Sequence, residues 1–221
     1  MKKLLALLLA IVMVFSLFVA CSNDKDDEDD DKKASEEKTS SVTTKELMGE
    51  IDGNVYENTF IGIGCRLPDS WTYLSQSELN EMNGIVMDII DDEALTAYLD
   101  ASVFYSMMAT SGFVDNCNIN LEKVSSVTLE SMDVAEYLEE SMPTLEQTYD
   151  SMGATNFQYE ITTVKLDGKV VDCIYTNVSL NGVDMVQCVI VLKCDGYLAN
   201  ISLTAYSDKN LEALLGYFYW L

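Results

Sequence analysis

The sequence predicts an α+β fold, an antiparallel β-sheet with helices packed on it. Three observations carry this. Asn181-Gly182 and Asp195-Gly196 are two-residue hairpin turns set between stretches of alternating polarity. Two stretches of helical period open on capping signals, Ser75-x-x-Glu78 and Asp133-x-x-Glu136. Strand pairs and helices follow one another before a long run of strands and a closing helix, which is the element order of an α+β domain.

The chain begins with Lys2-Lys3 and an apolar run from Leu4 to Ala20 broken only by Ser16. A charged start, an apolar core and a small residue before a cut form a secretory signal. Leu17-Phe18-Val19-Ala20-Cys21 resembles a bacterial lipoprotein signal, although Phe18 stands where Leu is usual. That resemblance implies cleavage between Ala20 and Cys21 and a lipid on Cys21. The membrane is then a partner through the lipid, and the rest of the chain sits on the extracytoplasmic face. The expected organisation is a signal peptide over 1–20, a disordered acidic tether over 21–52 and a single α+β domain over 53–221. The tether expectation rests on 22–45, which has no aromatic residue and cannot bury enough surface to offset chain entropy. Its run Asp26 to Asp31 lacks the Gly and terminal Glu of a calcium loop.

The formal charge of −24 becomes −26 once Lys2 and Lys3 leave with the signal, and Arg66 is the only arginine. Such a field repels nucleic acid, whose binding depends on phosphate neutralisation. The chain has no histidine, which removes the usual general base and the commonest zinc ligand. No metal, cofactor or catalytic residue is assigned. After Cys21 come Cys65, Cys117, Cys173, Cys188 and Cys194, an odd number with no C-x-x-C pair. They are expected to be free, buried thiols.

Within the domain, Val55-Tyr56 and Ile61 to Leu67 read as strands, followed by a turn at Pro68-Asp69-Ser70 and then Trp71 to Leu74. Helical spacing continues from Ser75 through positions 85, 86, 89, 90, 95, 98 and 99. Val103 to Thr110 and Asn116 to Lys123 read as adjacent strands joined through Gly112. Cys117, Ile119 and Leu121 share one face of the second strand, and Asn116, Asn118, Asn120 and Glu122 share the other. The next helix presents Val134, Tyr137, Leu138, Leu145, Tyr149 and Met152, stops at Gly153, and should kink or split at Pro143. Four strands from about 156 to 206 form an antiparallel meander. Their pairing sets Cys188 opposite Tyr175 and Leu203, and Ile190 opposite Cys173 and Ile201. At Leu166-Asp167-Gly168 a three-residue loop is expected, because it places Phe157, Tyr159 and Ile161 on that core face. The opposite face, with Ile174, Gln187, Val189, Lys193 and Asn200, is expected to be partly covered. Ser207 caps a last helix with Leu211, Leu214, Leu215 and Phe218 on its apolar stripe.

This element order, with Tyr56, Gly62 and Trp71 at its opening, resembles the PsbP-like (Mog-type) fold found in extracytoplasmic lipoproteins. The resemblance implies architecture only, since one fold hosts many functions. The function expected is a non-enzymatic domain that binds an unknown protein or small-molecule ligand. Arg66 could clamp a carboxylate, though a surface ion pair is the simpler reading. Trp71 and Tyr73 could floor a pocket, though core packing is the simpler reading. A carboxylate-dependent hydrolase of cell-wall material needs two acids across one cleft. Asp91-Asp92-Glu93 and Glu139-Glu140 read instead as solvated helix faces. A purely structural or assembly role is the remaining alternative.

Overall fold

The chain folds into two antiparallel sheets that share one core, with a second core beneath a long helix. In the computed structural model, residues 43–83 and 103–221 are described; the helical spacing from position 85 to 99 and the signal and lipid site lie outside them. Elements run α1 (Thr44–Met48), β1 (Glu50–Asp52), β2 (Val55–Asn58), β3 (Ile63–Arg66), β4 (Thr72–Tyr73) and α2 (Gln76–Met82). They continue with β5 (Phe104–Ser111), β6 (Asp115–Lys123), α3 (Ser126–Ser131) and α4 (Val134–Ser151). The meander β7 (Thr155–Leu166), β8 (Lys169–Leu180), β9 (Val183–Cys194) and β10 (Tyr197–Ala205) follows, then α5 (Asp208–Leu215) and β11 (Phe218–Trp220). The small sheet has the order β1-β2-β3-β11 and the large one β4-β5-β6-β10-β9-β8-β7. The expected α+β class with antiparallel sheets is what the chain adopts.

The meander register follows from its turns. Cys188 pairs with Tyr175 and Leu203, and Ile190 with Cys173 and Ile201, as the sequence led us to expect. The Leu166 turn differs. Leu166 pairs with Lys169, so the loop is the two residues Asp167 and Gly168, both at positive φ as a type I′ turn requires. Thr162 and Glu160 therefore lie opposite Cys173 and Tyr175. Phe157 and Ile161 turn to the other face and pack in the second core. The expected three-residue loop assumed a single apolar face, whereas this sheet is buried on both.

Between the sheets lie Tyr56, Ile63 and Cys65 from the small sheet, and Phe104, Met107, Ile119, Cys188, Ile190 and Ile201 from the large one. Leu211 and Leu214 of α5 close one end of this core. The intervening residues Ile174, Val189, Val191 and Leu198 meet Leu138, Met142, Leu145 and Tyr149 of α4. The face expected to be partly covered is thus closed at Ile174, Gln187, Val189 and Asn200, all buried. Lys193 donates from Nζ to the carbonyls of Leu129 and Met132, capping the end of α3.

α4 runs unbroken through Pro143. The proline and Glu139, whose carbonyl loses its partner, are both exposed, so that oxygen does not have to be satisfied within the core. The helix ends as expected at Gly153 (φ 74), where Gly153 and Ala154 donate to the carbonyls of Asp150 and Tyr149. Two further corrections concern the ends of the domain. Ahead of Gly53, where the folded part was expected to start, Thr43 and Glu46 form a reciprocal cap, and Leu47 of α1 is fully buried. Phe218 belongs to a strand, because α5 stops at Gly216 and Phe218 pairs with Cys65. β11 then bridges the sheets. Trp220 donates from Nε1 to the Leu166 carbonyl at 2.8 Å, and Lys169 Nζ lies 4.0 Å from its ring centroid.

Candidate functional site

A cleft of about 400 Å³ opens between the α1–β1 corner, the β4–α2 segment and β5. Its making starts with Gly49. At φ 67 it turns the chain from α1 into β1, passing so close to β2 that a Cβ would sit 2.8 Å from the Glu57 carbonyl oxygen. Across the cleft, Leu74 N donates to the Met108 carbonyl, and the Ser75–Glu78 capping box fixes the start of α2. The Ser75 hydroxyl and amide hold the Glu78 carboxyl below its usual range.

The third wall comes from a bulge in β5. Tyr105 pairs with Asn120 and Met107 with Ile119, so Ser106 has no partner residue across the ladder. The extra residue turns the Ser106 hydroxyl toward β2, where Tyr56 OH lies 2.6 Å away. Asn58 Nδ2 donates to the Leu47 carbonyl at 2.9 Å and to Tyr56 OH at 3.1 Å, while Ser106 Oγ donates to the Met48 carbonyl at 3.3 Å. With those donors fixed, the Tyr56 proton must go to Ser106. Asn58 Oδ1 accepts from the amides of Phe60 and Ile61, so Asn58 is saturated. The chain Asn58, Tyr56, Ser106 is buried throughout, and burial raises the Tyr56 phenol above its ordinary pKa.

The walls of the cleft are Met48, Ile51, Tyr73, Leu74 and Leu79, its rim Ser75 and Gln76, and its polar point Ser106. Apolar side chains interleaved with polar groups along the walls and rim suit a small amphipathic molecule. No carboxylate lines it.

The three residues singled out from sequence do not converge. Tyr73 lines the cleft, with its OH 3.3 Å from Cys65 Sγ, and burial raises both groups, the thiol to about 11. Trp71 is half-buried against the inter-sheet core. Arg66 is exposed on the face of β3 opposite Cys65, beside Tyr219, and makes no ion pair among the described residues. The ion pair found there is Lys45–Glu50 at 2.7 Å. Ser106 and Asn58 were missed, since neither a bulge nor a buried hydroxyl leaves a mark in the hydropathy pattern. Thr43-x-x-Glu46 before Leu47-Met48 was a readable helix signal.

Other carboxylates offer less. Glu46, Glu50, Asp52 and Glu57 border an open hollow of about 510 Å³ with Lys45. Glu46 is held low by Thr43 and Glu50 by Lys45, the reverse of what a general acid needs. Glu139 and Glu140 are exposed, and Asp91 to Glu93 lie outside the described residues. Burial raises the Glu122 carboxyl, but its bonded neighbour is Tyr137 OH at 3.3 Å, not a second acid. Among the described residues no three potential metal ligands gather, and the five thiols carry no disulfide.

No family model and no curated protein sequence matches the chain. Among solved structures it is similar to cyanobacterial PsbP (CyanoP) from Synechocystis sp. PCC 6803, at 13% identity and TM-score 0.44, over 78% of this chain and 96% of that one. A protein of Bacteroides thetaiotaomicron VPI-5482 is similar at 14% identity and TM-score 0.38, over 77% and 49% of the two chains. LpqN, involved in cell envelope biogenesis of Mycobacterium tuberculosis, is similar at 15% and 0.33, over 70% and 76%. Likeness at this level assigns no activity.

Proposed function

We propose that this chain is a lipid-anchored extracytoplasmic protein whose α+β domain is a non-enzymatic binding module taking a small amphipathic ligand. The observation that carries the reading is the cleft: five apolar side chains around one buried hydroxyl, Ser106, held in place by Tyr56 and Asn58. A site built for acid–base chemistry needs a titratable group facing the reacting atoms, and no carboxylate lines this one. The hydrolase alternative is disfavoured by the lowered carboxyls of the acidic hollow. Among the described residues no helix is long and apolar enough to cross a membrane. Membrane attachment is assigned to Cys21, through the signal that ends at Ala20.

Binding is tested with a fragment library read by ligand-observed NMR on the mature chain and on Gln76→Trp, which fills the rim of the cleft without touching the Ser75 cap. Amphipathic fragments that bind the parent and are lost in the variant support the reading. A library that yields no binder, or binders indifferent to Gln76→Trp, overturns it. Anchoring is tested separately. Cys21→Ala should abolish fatty-acid labelling and leave unprocessed precursor, whereas normal cleavage and unchanged membrane retention would contradict the lipid.

A further inference from the structure

A second concavity, of about 570 Å³, lies at the far end of the meander and takes no part in the cleft. It is a groove where the start of β7, the end of β8 and the start of β9 meet the junction between β10 and α5. Its polar lining is mainly amides and carboxylates: Asn156, Gln158, Asn177, Asp184 and Asp208, with Tyr206 alongside.

Two features set this groove apart from ordinary wet surface. Asn156 holds φ 55 inside β7, where the ladder slips between Thr155 and Gln158. Among the described residues, the other positive-φ residues besides glycine, Asp167 and Asn181, sit in hairpin turns, so there Asn156 alone carries this strain within a strand. The slip re-aims the first residues of β7 toward the groove. Tyr206 leaves 48% of its surface exposed at the point where the chain leaves β10, so its ring is free to take a flat apolar face. The two carboxylates are already fixed by neighbours, Asp184 by the Ser179 hydroxyl and Asp208 by the Tyr175 hydroxyl, which leaves them oriented with acceptor capacity to spare.

We infer that this groove binds a neutral oligosaccharide. A sugar hydroxyl both donates and accepts. Three amides answer it in both senses, the carboxylates take further hydroxyl protons, and Tyr206 packs on the C–H face of a ring. Asn156 Nδ2 already donates to the Ser179 hydroxyl at 3.5 Å, and a cation would leave the amide N–H groups of Gln158 and Asn177 without acceptors. No cationic side chain lines the groove, and the charge of −24 repels uronates and phosphorylated polymers.

The test is calorimetric titration of the mature chain with cello-, xylo-, manno- and chito-oligosaccharides, alongside Tyr206→Ala, Gln158→Ala and the cleft variant Gln76→Trp. The expected result is saturable binding of at least one neutral glycan. It should weaken roughly tenfold or more in Tyr206→Ala and in Gln158→Ala. It should persist in Gln76→Trp, and hold as salt rises from about 0.05 to about 0.5 M. Melting temperatures of the two groove variants within about 2 °C of the parent would show the loss to be local, since both side chains are exposed. No binding across the panel, binding unchanged in both groove variants, or binding that fades as salt rises would each overturn the inference. Persistence in Gln76→Trp keeps this outcome separate from that of the cleft.

Discussion

The hydrogen-bonded chain behind the cleft makes a sharp energetic prediction. In Tyr56→Phe the hydroxyl is lost, but its neighbours keep partners: Ser106 still donates to the Met48 carbonyl and Asn58 to the Leu47 carbonyl. Two hydrogen bonds disappear, the short one to Ser106 and the longer one from Asn58 Nδ2, which keeps Ser106 Oγ at 3.4 Å, so the cost is about 1–1.5 kcal/mol. Ser106→Ala is different. Tyr56 then keeps its donor, Asn58 Nδ2, but its own proton has no acceptor in a fully buried site, which costs about 2–3 kcal/mol. Both variants remove the same bond, so the double variant should cost less than the sum, with a coupling of about 1 kcal/mol. For a domain of this size the two single variants should melt about 2–6 °C and about 4–12 °C below the parent. Urea denaturation of all four proteins gives the cycle directly. Additive costs, or Tyr56→Phe costing more than Ser106→Ala, would refute the proton order assigned here.

Three further outcomes follow from separate parts of the fold. Trp220→Ala removes the bond to the Leu166 carbonyl and the ring under Lys169, and should destabilise by about 2–3 kcal/mol in urea melts, with Trp220→Phe costing roughly half as much. Asn118 is buried with its Oδ1 unbonded, so Asn118→Leu should stabilise by about 1–2 kcal/mol; a loss of that size would mean the amide is satisfied after all. Burial raises the Glu122 carboxyl, so the folded protein holds that proton more tightly than the unfolded chain. Its contribution is fully present below the unfolded carboxyl value and is lost as pH rises through the folded one; Glu122→Gln should therefore flatten the fall in melting temperature on raising pH from about 4 to about 8.

Much of the fold was legible because it is local. Asn181-Gly182 and Asp195-Gly196 fixed the β8–β9–β10 register to the residue, and Ser75 and Asp133 marked two helix starts where they occur. What failed was non-local. The Asp167-Gly168 turn was misread because Phe157 and Ile161 were assumed to seek the same core as Cys173, when α4 supplies a second one. The same two-sidedness hid Asn116, Asn118 and Asn120, which share the polar face of β6 yet are buried, with some of their amide atoms unpartnered among the described residues. Of the candidate site, Tyr73 was visible as an aromatic at a strand position, but its neighbours come from α1, α2 and a bulge in β5. Arg66 drew notice by its rarity, which is a fact of composition and carries no information about where it points.

The account rests on the cleft around Ser106 being where this domain takes its ligand. Backbone ¹H–¹⁵N shifts recorded while titrating the best-binding fragment test that claim directly. The amides of Gly49, Ser75, Gln76 and Ser106 should move together and saturate, while those of Val189 and Asn200 beneath α4 stay still. Saturable shifts confined to any other surface, with those four amides unmoved, would contradict it.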